Sequence, residues 1–242
     1  MQTVWRFRMR DEYLTIKKLD GLNNLMHAFT TRTCENAEDI IRNHFKLDAN
    51  EIFTVRQVHG DNIYVITEKN PKLNNIEADA IITNVKNLPI GVFTADCLPI
   101  ILADMKGRGV GVVHAGRVGT SLEISKKAAA KIAEVFGIPP EDIIAAIGPG
   151  IGGCCYEVDE KSVNPFKKGF AYFKDITVKK GHGKWMLDLK EINKKQLMES
   201  GVEEKNIFTI DFCTSCHNDK FFSYRREGKS AGRMISFVVI RG

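Results

Sequence analysis

Residues 90–116 read IGVFTADCLPIILADMKGRGVGVVHAG, and their pattern is the main indicator of the fold class. It contains three short runs rich in Val and Ile, at residues 90–94, 100–104 and 109–114. Such β-branched runs, separated by turn residues, are typical of strands packed in a sheet. The stretch therefore predicts three successive strands, with polar side chains where they begin or end.

The same pattern recurs on both sides of this stretch. Further strands are predicted at residues 52–58, 63–67, 80–83, 143–147, 207–212 and 234–240. Capping and stop signals predict helices at residues 120–137, 188–201 and 36–45. The first has Thr120 and Glu123 at capping-box spacing and Gly137 as its stop. A loop is expected at residues 70–77. Many strands with a few interspersed helices predict an α/β (α+β) sandwich with a mixed β-sheet.

The composition is that of an ordinary globular protein of 242 residues, and the length predicts a single domain over residues 1–242. The 35 Lys and Arg exceed the 30 Asp and Glu, but they are spread along the chain, which does not indicate nucleic-acid binding. This excess favours either an anionic substrate or simply a solvated basic surface. No apolar run approaches the roughly 18 residues of a membrane span, and residues 1–10 lack a secretory signal. We therefore expect a cytoplasmic protein without membrane contact.

Three potential metal ligands lie at predicted strand ends. His59 follows the strand at 52–58, Cys97 lies between two strands, and His114 ends the strand at 109–114. Two imidazoles and one thiolate suit zinc and leave a fourth position open, as in catalytic sites. The residues themselves also allow hydrogen-bonded turn histidines and a core cysteine. A third interpretation is a metal-free Cys97–His114 nucleophile and base, oriented by Asp96 or Asp104.

Four further cysteines form a second pattern. Cys154 and Cys155 are adjacent, and Cys213 and Cys216 form a C-x-x-C after a predicted strand. Adjacent cysteines point to opposite sides of an extended chain, so the pattern disfavours a shared zinc site. The C-x-x-C does not open a helix, which also disfavours a thioredoxin-like dithiol.

Two other segments allow a functional and a structural interpretation. The glycine-rich residues 148–153 follow a strand and either approach an anion or form a tight structural turn. Residues 221–226, FFSYRR, could stack a purine and hold a phosphate, or form an ordinary edge strand.

Seven ordered motifs resemble one known family. They are FTTR (29–32), QVHG (57–60), ADAIIT (78–83), TADCLP (94–99), VHAG (113–116), GPGIGGCCYEV (148–158) and FSYRR (222–226). This family is called multicopper polyphenol oxidase, laccase-domain protein, peptidoglycan editing factor or purine nucleoside phosphorylase. The resemblance extends from about residue 29 to residue 240.

The resemblance implies a single-domain α/β/α sandwich and a zinc site formed by His59, Cys97 and His114. It also implies a purine nucleoside phosphorylase acting on adenosine, inosine, guanosine and 5′-methylthioadenosine, with adenosine deaminase activity. The substrates would be a purine nucleoside and phosphate. Copper oxidation of phenols is the family's older assignment, with Cu²⁺ in place of Zn²⁺.

Physical arguments favour the nucleoside activity. Reducing oxygen to water takes four electrons and several copper ions held by many histidines. The chain has six histidines, of which two lie in the motifs. Arg32 and Arg226 are the predicted anion-binding residues, and Asp96, beside Cys97, is the third candidate for catalysis or substrate binding.

Two departures from the family pattern concern candidate binding loops. The family commonly has Trp-Arg after His-Ala-Gly, whereas this chain has Arg117-Val118. Its glycine pair after Thr-Thr-Arg is replaced here in the segment Thr33-Cys34-Glu35. A metal-free cysteine hydrolase acting on an amide or cell-wall precursor, and a non-catalytic partner protein, stay open as alternatives.

Overall fold

The computed structural model describes residues 7–47, 51–68 and 75–242. These residues form two stacked β-sheets with helices on both outer faces, and a small third sheet. The predicted α/β class is confirmed. Residues 70–74 of the predicted loop and residues 1–6 of the N-terminal segment lie outside the described residues.

The elements follow one another in this order. The strands are β1 (Phe7–Met9), β2 (Tyr13–Ile16), β3 (Leu25–Thr30), β4 (Ile63–Ile66), β5 (Ala80–Thr83), β6 (Ile90–Thr94), β7 (Leu98–Asp104), β8 (Val110–Ala115), β9 (Ile143–Ile147), β10 (Glu157–Asp159), β11 (Thr177–Lys179), β12 (Lys184–Leu187), β13 (Ile207–Thr209) and β14 (Met234–Ile240). The α-helices are α1 (Lys17–Asp20), α2 (Ala37–Asp39), α3 (Arg117–Ser121), α4 (Ile124–Phe136), α5 (Glu160–Gly169), α6 (Leu189–Glu199) and α7 (Tyr224–Glu227).

The six-stranded sheet has the order β13-β9-β7-β8-β5-β4. Its outer pairs β13–β9 and β4–β5 are parallel and its inner pairs are antiparallel, so the predicted mixed sheet is present. The five-stranded sheet, in the order β1-β2-β3-β14-β6, is antiparallel throughout. The small sheet consists of β10, β12 and β11.

The central strand β7 explains why the six-stranded sheet packs against a second sheet. It is buried along its whole length. Ile100 and Leu102 belong to the core beneath helices α4, α5 and α6, whereas Ile101 and Ala103 belong to the core shared with the five-stranded sheet. Because side chains alternate between the two faces of a strand, an unbroken apolar run needs cover on both. The sandwich thus has four layers, with α2 outside the five-stranded sheet.

The predicted helices form, with one difference at a terminus. Gly137 ends α4 in the left-handed conformation, with φ of 61°. The Asp188 side chain caps α6, and that of Asn36 caps α2, which continues as a π-helix over Ile40–His44. The capping box at Thr120 and Glu123 is wrong. Thr120 belongs to the preceding helix α3, and Glu123 precedes α4 without a side-chain cap.

One predicted strand is also wrong, as is the edge strand that was one of two alternatives for residues 221–226. Residues 52–58 form only isolated bridges, from Phe53 to Ile90 of β6 and from Arg56 to Glu77, which lies outside the strands. Residues 221–226 do not form an edge strand. Ser223 instead accepts a hydrogen bond from the Arg226 N–H and begins the short helix α7.

His27 is a buried titratable group on β3. Its Nε2 accepts a hydrogen bond of 2.8 Å from the Ile16 N–H, so that nitrogen carries no proton. Burial lowers the pKa of His27 to about 3. Asp20 faces the other ring nitrogen at 4.0 Å, and burial raises the pKa of that carboxyl.

This burial predicts an acid-labile contribution to stability. Because the folded-state pKa of His27 lies below its unfolded value near 6.5, the stabilisation is present above pH 6.5 and is lost as the pH falls toward 3. Because His27 takes up a proton in the unfolded state but not in the folded state, the free energy of unfolding should fall by about 2 kcal/mol between pH 8 and pH 5. His27→Gln keeps an acceptor near Nε2 and removes the titration. Urea unfolding of both proteins at the two pH values should show a smaller pH-dependent loss in the variant, and an equal loss would contradict the assignment.

Candidate active site

Two strand ends and one loop bring the predicted ligands together. Cys97 immediately precedes β7, His114 is the penultimate residue of β8, and His59 lies in the loop before β4. The antiparallel register pairs Pro99 with His114, which places Cys97 beside His114. The candidate ligand atoms of the three residues lie within 4.8 Å of one another. We call these residues the His–Cys–His cluster.

Gly116 makes this close approach possible. A Cβ at Gly116 would lie 3.0 Å from the Cys97 Sγ and 3.2 Å from the His59 Cδ2. Both contacts are tighter than ordinary van der Waals packing. Any side chain at this position would therefore push the cluster apart, which explains the requirement for glycine directly after β8.

Asp79 orients two members of the cluster. Its Oδ1 accepts hydrogen bonds from the His114 Nδ1, at 2.7 Å, and from the His59 N–H, at 2.9 Å. Its Oδ2 accepts one of 2.6 Å from the Gly60 N–H. These bonds hold His59 in the left-handed region, with φ of 61°, and leave the His114 Nε2 for the cluster. A carboxylate that orients a ligating histidine in this way is common at metal sites.

The cluster contains an acidified thiol. Burial disfavours the Cys97 thiolate, but hydrogen bonds and charge from His114 and His59 outweigh it and lower the pKa of Cys97 to about 6. Burial likewise disfavours the His114 imidazolium, but Asp79 and Cys97 raise the pKa of His114 to about 9. Burial opposes ionisation of Asp79 too, but the hydrogen bonds from His114, Gly60 and His59, together with the charge of His114, outweigh it, so the pKa of Asp79 is lowered. A thiolate is thus available as a ligand near neutral pH.

Asp96 lies beside the cluster but contacts other partners. Its backbone has φ of 94°, and its Oδ1 and Oδ2 accept hydrogen bonds of 2.6 Å each from the Thr214 hydroxyl and the Arg225 N–H. Asp104, the other predicted partner of His114, forms an ion pair with Arg108. The orienting carboxylate is instead Asp79. Asp79 lies in the motif at residues 78–83. Its role depends on the pairing of β5 with β8, which cannot be inferred from the local sequence.

The cluster opens into a cavity of about 760 Å³. Its walls also carry three arginines and three aromatic rings: Arg117, Arg225, Arg233, Phe93, Tyr156 and Tyr224. Asp96 also lines the cavity. A cavity of this volume suits a small molecule that presents both a flat ring and an anionic group.

Arg32 and Arg226, the predicted anion-binding residues, do not line this cavity. The Arg226 guanidinium donates hydrogen bonds to the carbonyls of Thr214, Ser215 and Phe221 and pairs with Glu227. Arg32 lies over the Phe222 ring, 4.8 Å from its centroid, and donates to the Asn218 carbonyl. Both arginines therefore hold loops together, and this part of the prediction needs correction.

The cavity arginines come from other positions. Arg117, which departs from the family motif, begins α3 and interacts with the Tyr156 hydroxyl. Arg225 lies over the Tyr156 ring, 5.2 Å from its centroid, and donates to the Glu157 carbonyl. The motif at residues 222–226 indicated the correct segment, but the helical turn of α7 directs Arg225 rather than Arg226 to the cavity.

The glycine-rich segment is explained by packing. A Cβ at Gly150 would lie 2.4 Å from Leu98 Cδ2 and 3.0 Å from the Asp96 carbonyl oxygen. A Cβ at Gly148 would lie 2.3 Å from the Phe29 ring. The structural interpretation of this segment therefore accounts for both glycines.

Among the described residues, two groups of His, Cys, Asp or Glu side chains could hold a metal ion. One is the His–Cys–His cluster, and the other consists of Cys154, Cys155, Cys213 and Cys216. The first offers three donors at the base of a cavity, which fits a metal ion with an open coordination position. The second brings together cysteines whose sequence pattern disfavoured a shared site.

Known proteins resemble this chain along most of its length. A purine nucleoside phosphorylase of Clostridium acetobutylicum is 38% identical over 221 residues, covering 91% of this chain and 88% of the relative. An adenosine deaminase named RL5, from an unknown prokaryote, is 35% identical over 200 residues, covering 79% of this chain and 76% of the relative.

Solved structures share the fold. The Bacillus licheniformis hypothetical protein YfiH matches with a TM-score of 0.88 at 27% identity, covering 97% of this chain and 99% of that one. YlmD from Geobacillus stearothermophilus matches with a TM-score of 0.86 at 25% identity, covering 98% of this chain and 99% of that one. The family model described as multi-copper polyphenol oxidoreductase laccase matches residues 14–241. The chain therefore belongs to the multi-copper polyphenol oxidoreductase laccase family.

Proposed function

We propose that this protein is a zinc-dependent purine nucleoside phosphorylase that also deaminates adenosine. One observation carries the proposal: a single cavity joins the His–Cys–His cluster to arginines and aromatic rings. The names of the relatives from Clostridium acetobutylicum and of RL5 support these two reactions. Adenosine, inosine, guanosine and 5′-methylthioadenosine are the proposed substrates.

His59, Cys97 and His114 would hold the zinc ion. A zinc ion at this position supplies Lewis acidity beside the substrate and lowers the pKa of water that contacts it. The chain contributes the orientation of the donors, because Asp79 fixes the ring of His114 and the backbone of His59. Gly116 leaves the space in which the donors meet.

The arginines are suited to phosphate. Guanidinium groups form strong, often paired hydrogen bonds to phosphate oxygens. Arg117 and Arg225 both contact Tyr156, so their positive charges lie at one wall of the cavity. Burial raises the pKa of Tyr156, which keeps its hydroxyl protonated and able to donate a hydrogen bond to the nucleoside. Phe93 and Tyr224 expose large faces on which a purine can stack.

The proposed function comprises two reactions. In phosphorolysis, a phosphate oxygen bonds to C1′ of the ribose while the bond from C1′ to N9 breaks, and the purine leaves with that electron pair and takes up a proton. The products are the free purine and the sugar 1-phosphate, which is ribose 1-phosphate for adenosine, inosine and guanosine and 5-methylthioribose 1-phosphate for 5′-methylthioadenosine. In deamination, water adds to C6 of adenosine and ammonia leaves, giving inosine. The arginines are needed only for the first reaction.

The distribution of histidines favours this proposal over copper oxidation of phenols. His27 is buried on β3 and accepts the Ile16 N–H, and His217 faces the Cys213 carbonyl. His44 lies against the Tyr13 ring. In the described part of the chain, the His–Cys–His cluster is the one candidate metal group that contains histidine. Several coppers within reach of one another would require more imidazoles than this cluster offers.

A second candidate function is a metal-free cysteine hydrolase acting on an amide or cell-wall precursor. The observation that favours it is the chain of hydrogen bonds from Cys97 to His114 and from His114 to Asp79. This order of thiol, imidazole and carboxylate is that of a nucleophile, its base and the group that orients the base. Chelation should leave such an activity intact, whereas alkylation of Cys97 should abolish it.

Incubation of the zinc-loaded protein with adenosine is expected to give adenine only when phosphate is present, and inosine without it. Cys97→Ser should lose one zinc ion per chain and both activities, because serine is a poor zinc ligand. Cys34→Ser, a substitution outside both cysteine-containing groups, is the matched control and should retain them. Chromatography and metal analysis measure both properties. Wild-type zinc content and turnover in Cys97→Ser would exclude Cys97 from the site.

Asp79→Asn should weaken zinc binding by about 10- to 100-fold, because the amide no longer fixes the tautomer of His114. Zinc affinity is measured by competition with a chromophoric chelator. Asp104→Asn removes a similarly buried, ion-paired carboxylate remote from the cavity and serves as the control. If both variants lost equal stability and bound zinc like the wild type, Asp79 would have only a structural role.

Arg117→Ala should raise the KM for phosphate by about 10- to 100-fold, since a hydrogen bond to a charged group contributes about 1.5–3 kcal/mol. Deamination of adenosine by the same variant should change little, because that reaction needs no phosphate. Arg32→Ala, outside the cavity, should match the wild type in both assays. Equal losses of the two activities in Arg117→Ala would argue against a phosphate-binding role.

A further inference from the structure

Four sulfur atoms meet at the second cysteine group. The Cys155 and Cys216 Sγ atoms are 3.3 Å apart, and the Cys154 Sγ lies 3.8 Å from each of Cys155 and Cys216. With Cys213 included, all four sulfurs lie within 4.8 Å of one another. We call these residues the four-cysteine cluster.

Two turns create this arrangement. The Cys155 N–H donates to the Gly152 carbonyl, which folds Cys154 and Cys155 into a turn. The Cys216 N–H donates to the Cys213 carbonyl and forms the second turn. A bridge between Gly150 and Cys213 holds the two turns side by side. The alternation of adjacent cysteines applies to an extended chain, and here the chain is not extended.

The sulfur spacing matches a tetrahedral metal site. Zinc–thiolate bonds of about 2.3 Å, arranged tetrahedrally, place neighbouring sulfurs about 3.8 Å apart. Two of the three spacings given above are 3.8 Å and the third is 3.3 Å. A disulfide would require a distance of about 2.05 Å. All four cysteines are free thiols, so all four sulfurs are available as donors.

The surroundings suit a negatively charged cluster. The Gly152 N–H donates a hydrogen bond of 3.2 Å to the Cys213 Sγ. The Lys190 ammonium donates to the carbonyls of Ile210 and Phe212, just before Cys213, and is close enough to interact with the charges of Cys154 and Cys213. An ammonium and a backbone N–H beside the sulfurs offset part of the charge of four thiolates.

We propose that Cys154, Cys155, Cys213 and Cys216 bind a structural zinc ion as a closed four-thiolate site. The site joins the loop that carries Tyr156 to the loop that carries Thr214, and Thr214 holds Asp96 at the edge of the cavity. With four protein donors, no coordination position is left for substrate, so this ion is not the catalytic one. The proposal stands on the sulfur geometry and does not depend on the proposed phosphorylase activity.

Metal analysis of purified proteins tests the proposal without an activity assay. The full chain, produced with zinc and freed of loosely bound metal by gel filtration, should contain two zinc ions. Cys97→Ser and Cys216→Ser should each contain one, and the double variant none. Cys34→Ser, the control, should contain two. A Cys97→Ser protein without zinc, or with iron in its place, would overturn the assignment.

X-ray absorption of the zinc in Cys97→Ser identifies the atoms that bind it. This measurement does not need the Cys216→Ser variant, so it tests the proposal even if that variant fails to fold. The expected spectrum has four sulfur neighbours at about 2.3 Å and no nitrogen or oxygen neighbour. A shell containing nitrogen or oxygen would refute the four-thiolate site. Counting thiols in the denatured, unreduced protein gives an independent check. Six free thiols are expected after removal of zinc, whereas four would show that the cluster forms a disulfide instead.

Discussion

The geometry of the candidate active site depends on one buried carboxylate. Asp79 is fully buried, and an ionised carboxylate in such a place is costly unless hydrogen bonds compensate it. Its partners are the His114 imidazole and the N–H groups of the loop containing His59 and Gly60. The same bonds that make the buried charge tolerable therefore fix the two histidines. Loss of the carboxylate would release both the loop and the ring.

The strand register supplies the rest of this arrangement. Asp79 immediately precedes β5, and Ala80 pairs with Val113 in β8, next to His114. The His114 N–H also donates a 2.7 Å hydrogen bond to the Asp79 carbonyl. On the other edge of β8, pairing with β7 places Cys97 next to the same histidine. Because a shift of one residue would turn His114 to the opposite face of the sheet, the apolar cores on both faces protect the site geometry.

Sequence alone predicted the elements whose signals are local. The helix end at Gly137 and the cap at Asp188 are of this kind, since each is marked by its own residue, and the apolar runs likewise predicted the strands β7 and β8 beside Cys97 and His114. The positions that prediction missed depend on contacts between distant segments. Asp79 acts across two strands, and the direction of Arg225 follows from a helical turn that began at Ser223.

The cysteines give the clearest case, because a correct rule was applied to the wrong local structure. Alternation would have separated Cys154 from Cys155, but the turn at Gly152 brings both to Cys216. The consequence reaches the active site through Asp96. Its carbonyl accepts the Ile151 N–H at 2.8 Å, and its carboxylate accepts the Thr214 hydroxyl, so it contacts both loops that the four-cysteine cluster joins. Asp96 also directly precedes Cys97, and its left-handed backbone carries a strain of about 1–3 kcal/mol that these hydrogen bonds offset. A closed metal site at the four-cysteine cluster, as proposed, would hold the two loops and thereby fix the approach of the Cys97 thiolate to the His–Cys–His cluster.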